Sequence, residues 1–414
     1  PAPHSMIQGI RKLPPATVLI VENGELREHV YWELKQNIQS LSDEQWCERF
    51  RQELTASVTG QMISDVPLGA FLSGGIDSSA VVACMASHSS QPVKTFSIGF
   101  GNASGGQYYN ELPYARQIAE QFGTDHREIV VEPQAVDLMP RLLWHMDEPI
   151  ADSAYITTYL VSEFARSDVT VILSGVGGDE LFAGYRRYQG EHYLNHYNKI
   201  PDWMRRGLIS PIARRLPADR HSKWLNYMRL GQSFVASSEL PFNERYQSYI
   251  EVFSKNLQAE LLLDPMPNSD HTAQLMADTS ADQSLWKMFD LDRQTQLPDD
   301  LLMLTDKMSM ATSLECRVPL LDQELVDLAT QIPEEILLAK GELKTILKQS
   351  LKGILPDSIL YRAKRGFGAP MGAWLKSELT GLRGTLLNRE AVEARGLFRW
   401  DTIDRIIGQH DRNQ

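Results

Sequence analysis

The sequence predicts an α/β protein in which a parallel, twisted β-sheet carries large helical additions. Short apolar runs, each long enough for one buried strand, recur in the first half of the chain and alternate with segments of helical apolar spacing. Two of these runs end in glycine-rich turns that lead into a helix. After about residue 186 we predict no further strand, only helices. Strands that alternate with helices favour a parallel sheet with helices on both faces.

The N-terminal segment is predicted to form a β-hairpin followed by a long helix. In residues 17–32, TVLIVENGELREHVYW, two β-rich runs flank Asn23-Gly24, a strong two-residue turn signal. Residues 41–63 then carry apolar residues at helical spacing, which predicts a helix: Leu41, Trp46, Phe50, Leu54, Val58 and Met62.

The sheet and its connecting helices are predicted from the segments that follow. The apolar runs predicted as strands are 67–72, 93–99, 127–131 and 169–173. The segments predicted as helices are the one after Asp77 and those at 111–123, 134–146 and 154–166. Gly123 marks the end of the second of these helices.

Composition limits the partners and the compartment. The 414 residues suit two or three domains, and the formal charge of −12 argues against nucleic acid as the main partner. The three cysteines (Cys47, Cys84 and Cys316) form neither a disulfide framework nor a zinc motif, which favours the reducing cytoplasm. No apolar run is long enough to span a membrane. The start lacks both a signal-peptide core and a Met, so we expect a piece of a longer chain.

The first glycine loop, SGGIDSS at residues 73–79, has the chemistry of a phosphate site. A strand that ends in such a turn and feeds a helix collects backbone N–H groups and the helix dipole at one point. Gly74 and Gly75 permit close backbone approach, and Ser73, Ser78 and Ser79 add hydroxyl groups. Because Asp77 would repel an anion, a cation is expected between them, and Mg²⁺ binds carboxylate and phosphate oxygens together. The alternative is a tight turn with a serine N-cap. The spacing fits neither a Walker A loop nor a dinucleotide fingerprint.

A second loop strengthens the prediction. VTVILSGVGGDELFAGY, residues 169–185, leaves a predicted strand through Ser174-Gly175 and presents Asp179 and Glu180. Two such loops at the carboxyl ends of parallel strands would share one crevice. Asp77 and Asp179 would then hold Mg²⁺ between them.

Together these motifs resemble the synthetase half of the glutamine-dependent (B-type) asparagine synthetases, which belong to the ATP-pyrophosphatase, or PP-loop, group. The resemblance extends from about residue 5 to 400, and four further stretches contribute to it: 147–163, 297–322, 341–351 and 364–375. It implies a Rossmann-like sheet of the adenine-nucleotide alpha-hydrolase type. It also implies a reaction in which ATP and a carboxylate, L-aspartate in the type case, give an acyl-adenylate and pyrophosphate. Ammonia then forms the amide and releases AMP.

The resemblance also implies roles for individual residues. Lys344, Asp77 and Asp179 match catalytic residues, and the two aspartates match the Mg²⁺ ligands. The residues matched to ATP and pyrophosphate binding are Leu72, Ser73, Gly74, Gly75, Asp77, Ser78, Ser79, Ser97, Ile98, Ser174, Gly175 and Lys344. On the substrate side we place Val176, Gly177, Gly178, Glu180 and Asp152. From the sequence pattern alone, Lys344 would be a solvent-exposed helix lysine.

The sequence departs from the family pattern at two places. Val176 stands where the family usually carries an acidic residue that could take a proton or orient the acceptor. This leaves three alternatives open: another carboxylate substrate (with amidation, β-lactam formation or peptide cyclisation), an altered amidotransferase, or an ATP-binding pseudoenzyme. The family's glutaminase domain begins with a nucleophilic cysteine, and no cysteine precedes Cys47, so we expect that this domain has been cut off.

These departures set the expected domains and partners. We expect residues 1–34 to be the tail of a glutaminase domain and its linker, 35–190 the nucleotide-binding core, and 191–414 a mainly helical part of the synthetase domain. The 414-residue chain should therefore use free ammonia, with glutamine as the source in the intact protein. A homodimer is a further expectation.

Overall fold

The computed structural model describes residues 1–101, 110–213, 215, 223–264, 274–276, 284–362 and 368–412. The chain forms two compact units. The first unit comprises Pro1–Gly184, Asp292–Leu337 and Lys344–Gly384. The second comprises Tyr185–Leu291, Leu338–Leu343 and Thr385–Gln414.

The first unit contains the predicted hairpin and the predicted parallel sheet. Strands β1 (Thr17–Glu22) and β2 (Glu25–Val30) pair antiparallel across Asn23 and Gly24, whose φ angles are +51° and +82°. Two successive positive φ angles are what a type I′ turn needs, and Asn-Gly adopts them readily. The hairpin prediction is confirmed.

The sheet has five parallel strands in the order β5-β4-β3-β6-β7. Its strands are β3 (Leu68–Phe71), β4 (Lys94–Phe100), β5 (Asp125–Val131), β6 (Val171–Leu173) and β7 (Glu315–Arg317). The four predicted strands are confirmed, as is the α/β class with a parallel sheet. In this order β3 lies between β4 and β6. β4 is the next strand along the chain, whereas β6 comes later, after β5.

The prediction that no strand follows residue 186 is wrong. β7 pairs with β6 from Val171↔Glu315 to Leu173↔Arg317 and forms an edge of the sheet. The strand is only three residues long, with a charged residue at each end. Arg317 donates to Glu315 (2.6 Å) and to the carbonyl oxygen of Gln61 (2.7 Å). An edge strand this short and polar lacks the apolar run that marks a buried one.

Helices make up most of the remaining described chain. The α-helices are α1 Asp43–Gln61, α2 Ile76–His88, α3 Leu112–Phe122, α4 Met139–Met146, α5 Ala154–Arg166, α6 Gly178–Leu181, α7 Arg186–Tyr197, α8 Asp202–Met204, α9 Ser210–Ala213, α10 Lys223–Ser238, α11 Phe242–Ile250, α12 Lys255–Leu261, α13 Ser284–Gln294, α14 Met303–Met310, α15 Gln323–Ala329, α16 Glu334–Leu337, α17 Thr345–Ser350, α18 Asp357–Leu360, α19 Met371–Trp374, α20 Thr380–Leu386, α21 Arg389–Arg395 and α22 Trp400–Asp411. Short 3₁₀ segments occupy Pro133–Leu138, Pro319–Leu321 and Ala339–Gly341, and π-helical turns occupy Arg205–Ile209 and Leu297–Leu302.

Local sequence explains where the predicted helices begin and end. α1 starts with a capping box in which Gln45 N donates to Ser42 Oγ (3.3 Å) and Ser42 N to Gln45 Oε1 (2.9 Å). α3 ends at Gly123, whose φ of +62° turns the chain and whose N–H bonds the carbonyl of Ala119. The helix expected at 134–146 is a 3₁₀ turn followed by α4, and α5 matches its predicted bounds.

A contiguous apolar core joins the sheet to the helices beside it. It includes Ile172 of β6, Ile156 of α5, Leu142 of α4 and Met308 of α14, all fully buried. Burying each such side chain contributes about 1.5–3 kcal/mol. This core fixes the sheet, and the loops at its carboxyl edge are therefore built on a rigid base.

The second unit is helical in the residues described. A buried ion pair in this unit joins Arg245 to Glu191 through two hydrogen bonds of 2.7 and 2.9 Å. In the part of the chain that the structure describes, no helix combines the length and the apolar character needed to cross a membrane. Cys47, Cys84 and Cys316 are all free thiols.

Candidate functional site

The two glycine loops lie side by side at the carboxyl edge of the sheet. The first leaves β3 after Phe71 and the second leaves β6 after Leu173, and these strands are neighbours. The chain passes from β3 to β4 on one side and returns to β6 on the other, which makes this the switch point of the sheet. Such points form ligand crevices in open parallel sheets.

The first loop is shaped by glycine and braced by serine. Gly74 has a φ of +67°, and Gly75 is the N-cap residue of α2. The Ser73 and Ser78 hydroxyl groups lie 3.0 Å apart, and the backbone N–H of Ser73 donates to Ser78 Oγ (3.2 Å). Ser79 is fully buried one residue further along α2. The loop therefore has a fixed shape with N–H groups at the start of a 13-residue helix.

The second loop touches the first at two glycines. A Cβ at Gly175 would lie 2.6 Å from Ser78 N, and one at Gly178 would lie 2.8 Å from Asp77 Cγ. Real Cβ atoms do not approach other atoms so closely. Position 175 therefore needs glycine because its neighbour is backbone, and a side chain at position 178 would displace the Asp77 carboxylate. The predicted meeting of the two loops is confirmed.

Lys344 lies between the aspartates of the two loops. Its ammonium group forms ion pairs with Asp77 and, at 2.7 Å, with Asp179. Only 8% of the lysine side chain is exposed, against 18% and 20% for the two aspartates. The interpretation of Lys344 as a solvent-exposed helix lysine is therefore excluded.

Charge and backbone geometry both fix this lysine. Burial of the amine lowers its pKa, but the carboxylates of Asp179 and Asp77 together outweigh burial, so the pKa of Lys344 is raised and the amine is an ammonium. The residue has a φ of +55°, in the left-handed region that a lysine seldom adopts. Its N–H donates to the carbonyl of Ala183 (3.3 Å), which is also left-handed at φ +56°. Such strained backbone concentrates at functional sites.

The donor set fits Mg²⁺. The two carboxylates meet around one cation, the Lys344 ammonium, and carboxylate oxygens are the protein ligands that Mg²⁺ prefers. Among the residues described, no group of three or more His, Cys, Asp or Glu side chains could hold a metal ion. Mg²⁺ often uses one or two carboxylates and completes its shell with water and phosphate oxygens.

Three other residues matched to nucleotide binding line the same edge. Leu72 is buried and its N–H bonds the carbonyl of Phe96 (2.9 Å). The Ser97 hydroxyl donates to the carbonyl of Leu72, and Ile98 is buried beside it on β4. The first loop and the carboxyl half of β4 are thus joined.

The second loop and the start of α6 contain most of the residues placed on the substrate side. Ser174 N donates to the carbonyl of Arg317 (2.8 Å), which anchors the loop to β7. Val176 is half-buried, and Gly177 turns the chain with a φ of +98° against Leu321. Glu180 is 1% exposed.

Asp152 lies at the start of α5, where its Oδ1 accepts from Ala154 N (2.8 Å). Its charge, after burial, is a cause of the raised pKa of Asp300, which is about 6. Sequence reasoning missed Asp300, although it lies within residues 297–322, a stretch that contributes to the family resemblance. A carboxyl group that titrates near neutrality is a functional-site candidate.

Gly184 was also missed, although it stands in the quoted Phe-Ala-Gly-Tyr stretch. A Cβ there would lie 2.6 Å from Asp179 Cγ and 2.5 Å from Lys344 Cε. The lysine–aspartate cluster therefore needs glycine at this position.

We expect Gly184→Ala to lower turnover at least about tenfold, because the methyl group displaces Asp179 or Lys344 by a fraction of an ångström or more. Gly190→Ala is the matched control, since a Cβ there meets only Tyr249 Oη at 3.9 Å. Initial rates and circular dichroism of both variants check this. Equal activity of the two variants would show that the cluster tolerates the displacement.

The sequence matches the asparagine synthase family profile over residues 49–414. It is 33% identical over 399 residues to an asparagine synthetase [glutamine-hydrolyzing] of Bacillus subtilis, covering 95% of this chain and 61% of that protein. It is 32% identical to a putative asparagine synthetase [glutamine-hydrolyzing] of Mycobacterium tuberculosis, covering 91% and 57%. The chain thus spans about three fifths of the length of these relatives.

Some more distant matches have other names. The amidase chyE of Penicillium rubens is 23% identical, over 98% of this chain and 65% of its own length. Among solved structures, an NMN synthetase from Francisella tularensis aligns with 66% of this chain and 95% of its own at 12% identity and a TM-score of 0.25, a likeness too weak to support any conclusion.

Proposed function

Because this chain belongs to the asparagine synthase family, we propose that it is an ATP-dependent ligase that adenylates a carboxylate with release of pyrophosphate and then amidates it. L-Aspartate is the first candidate substrate and L-asparagine the product. The single observation that carries the proposal is the convergence of Asp77 and Asp179, from the two glycine loops, on the buried Lys344.

In the first step a carboxylate oxygen of the acceptor attacks the α-phosphorus of ATP, and the bond to the β-phosphate oxygen breaks. Backbone N–H groups of the first loop and the hydroxyls of Ser73, Ser78 and Ser79 bind the departing pyrophosphate. Lys344 neutralises charge that develops on the phosphates. Leu72, Ser97 and Ile98 lie on the adenosine side of the site.

In this proposal Asp77 and Asp179 would hold Mg²⁺. When bound, the metal neutralises the charge of the pyrophosphate leaving group. Since the Lys344 ammonium lies between the same carboxylates, it balances their charge in the structure described here. Lys344 therefore lies beside the two carboxylates that would hold the metal.

In the second step ammonia attacks the carbonyl carbon of the acyl-adenylate, and AMP leaves. Val176 cannot accept the proton that the attacking nitrogen loses. Glu180 and Asp152 stay candidates for the acceptor side. Asp300 joins them because burial and Asp152 raise its pKa to about 6, which makes its carboxylate a stronger proton acceptor than an ordinary aspartate.

The domain assignments belong to the same proposal. Residues 1–34 are the tail of a glutaminase domain that supplies ammonia from glutamine in the intact protein, and 35–190 is the nucleotide-binding core. The curated relatives are named as glutamine-hydrolysing and are longer than this chain. The free cysteines agree with a cytoplasmic setting. The homodimer stays a prediction.

A second candidate is adenylation of a different carboxylate, followed by amidation or by attack of an internal amine. Val176 favours it, because an apolar side chain at this position suits a less polar acceptor than aspartate. The relative named as an amidase fits the same possibility.

The test of the proposed function is product analysis. With ATP, Mg²⁺, L-aspartate and ammonium chloride, we expect AMP, pyrophosphate and asparagine in equal amounts. ADP and orthophosphate in their place would contradict adenylation. AMP formed only with another acid would select the second candidate.

A further inference from the structure

We propose that Arg362 is a positioning residue for the first glycine loop: through Glu111 and Tyr114 it fixes the first turn of α3 against Gly74. The role in nucleotide binding rests on the proposed function. The role in loop positioning does not, because it follows from contacts within the first unit.

Arg362 forms a buried ion pair at the start of α3. Its guanidinium donates to Glu111, and the exposed fractions of the two side chains are only 10% and 11%. The residues are 251 positions apart in sequence, so the pair joins Arg362, two residues after α18, to the beginning of α3. A charge pair so far from solvent is costly to break from one side, because the remaining charge stays buried.

The same arginine also packs on Tyr114. The guanidinium carbon lies 4.6 Å from the centroid of the Tyr114 ring, a cation–π distance. The carbonyl of Glu111 accepts the N–H groups of Tyr114 (3.0 Å) and Ala115 (3.2 Å). Arg362 therefore fixes both the residue that caps α3 and the first aromatic side chain of the helix.

The backbone that Arg362 fixes in this way is the surface behind the phosphate loop. A Cβ at Gly74 would lie 2.6 Å from Ala115 N and 2.6 Å from the carbonyl carbon of Tyr114. Gly74 has a φ of +67°, so the loop turns directly on the first turn of α3. Any displacement of that turn changes the space available to Gly74, and with it the direction of the loop N–H groups.

A second close contact holds the first turn of α3 against β4. Leu112 packs against Gly99 of β4, where a Cβ would lie 2.7 Å from Leu112 Cγ. Asn110 Oδ1 accepts the N–H of Leu112 (3.2 Å). The first turn of α3 is therefore confined between Gly74 and Gly99, and Arg362 holds it in place through Glu111 and Tyr114. Arg362 can therefore affect the position of the first glycine loop without contacting the reacting atoms.

The test measures the loop directly and nucleotide binding separately. Hydrogen–deuterium exchange of the peptide that covers residues 72–79, without nucleotide, should be several-fold faster in Arg362→Met than in wild type. The Kd for ATP with Mg²⁺, by isothermal titration calorimetry, should rise about tenfold. This is the usual cost of losing a residue that orients the groups in direct contact with a ligand. The KM of the carboxylate acceptor should stay unchanged. Arg362→Lys keeps the charge beside Glu111. Its increase in loop exchange and its loss of ATP affinity should both be smaller than those of Arg362→Met.

Tyr114 supplies the matched pair of variants. Tyr114→Leu removes the ring that Arg362 packs on and should speed exchange of the loop, whereas Tyr114→Phe keeps the ring and should not. Arg127→Met breaks an ion pair with Asp168 (2.5 Å) elsewhere in the first unit and should also leave the loop unchanged.

Unchanged loop exchange in Arg362→Met would overturn the proposal. So would weaker ATP binding in Arg362→Met with wild-type behaviour of Tyr114→Leu, because the arginine would then contact the nucleotide itself. If wild type binds no ATP, the proposed function fails, and the exchange measurement still decides the role of Arg362.

Discussion

Asp77→Asn is expected to lower the rate of pyrophosphate release at least about a hundredfold, the usual cost of losing one group that stabilises developing charge. The amide keeps the shape of the side chain and its place in the first turn of α2. It removes one of the two carboxylates that face Lys344. The site then holds a divalent cation less well, and the lysine loses half of its countercharge.

The control for this variant is Asp65→Asn, because Asp65 is exposed and lies in the turn before β3. It should release pyrophosphate at the wild-type rate. Both variants should keep the wild-type far-ultraviolet circular dichroism. A near-normal rate for Asp77→Asn would remove the aspartate from the metal and phosphate machinery.

Lys344→Met is expected to lower adenylation about a hundredfold to a thousandfold, since the phosphates lose a fixed positive charge. It should also destabilise the protein by about 2 kcal/mol in the absence of Mg²⁺, because two carboxylates that are one-fifth exposed or less then face each other without a cation. Added Mg²⁺ should recover part of that loss in the variant and raise the unfolding midpoint of wild type less.

Thermal unfolding with and without Mg²⁺, together with pyrophosphate release, tests this prediction. Lys352→Met, an exposed lysine after α17, is the control and should be neutral in both assays. Normal turnover of Lys344→Met would refute the catalytic role. A variant that Mg²⁺ does not stabilise would refute the idea that lysine and metal share the same carboxylates.

Much of the fold could be predicted because its signals are local. The Asn23-Gly24 turn, the Gly123 stop and the apolar runs of β3 to β6 each depend on residues within one element. β7 could not be predicted in this way. Its three residues carry no apolar run, and only the pairing with Val171, Ile172 and Leu173 makes it a strand.

The candidate site shows the same division between local and long-range information. Each glycine loop could be recognised by itself, since a strand, a turn and a helix follow one another in sequence. The surroundings of Lys344 could not, because its partner Asp77 is 267 residues away and the pattern around the lysine is that of an ordinary surface helix. The family resemblance, rather than the pattern, singled out this residue.

The steric requirements of the site cannot be predicted from one segment of the sequence. Gly178 and Gly184 matter because of what a Cβ would strike, namely Asp77, Asp179 and the Lys344 side chain. The raised pKa of Asp300 likewise arises from burial and from Asp152, about 150 residues earlier in the chain. Such effects depend on the assembled structure and have no signature in a single segment.

The most direct measurement of the central claim is ATP–pyrophosphate exchange with Mg²⁺, in the absence of ammonia, with L-aspartate first and other carboxylates after it. If the two loops and Lys344 form an adenylating site, labelled pyrophosphate will enter ATP only when a suitable carboxylate is present. The acid that supports exchange will identify the substrate. Tight ATP binding without exchange for any carboxylate would contradict the claim and leave a nucleotide-binding protein that does not activate an acid.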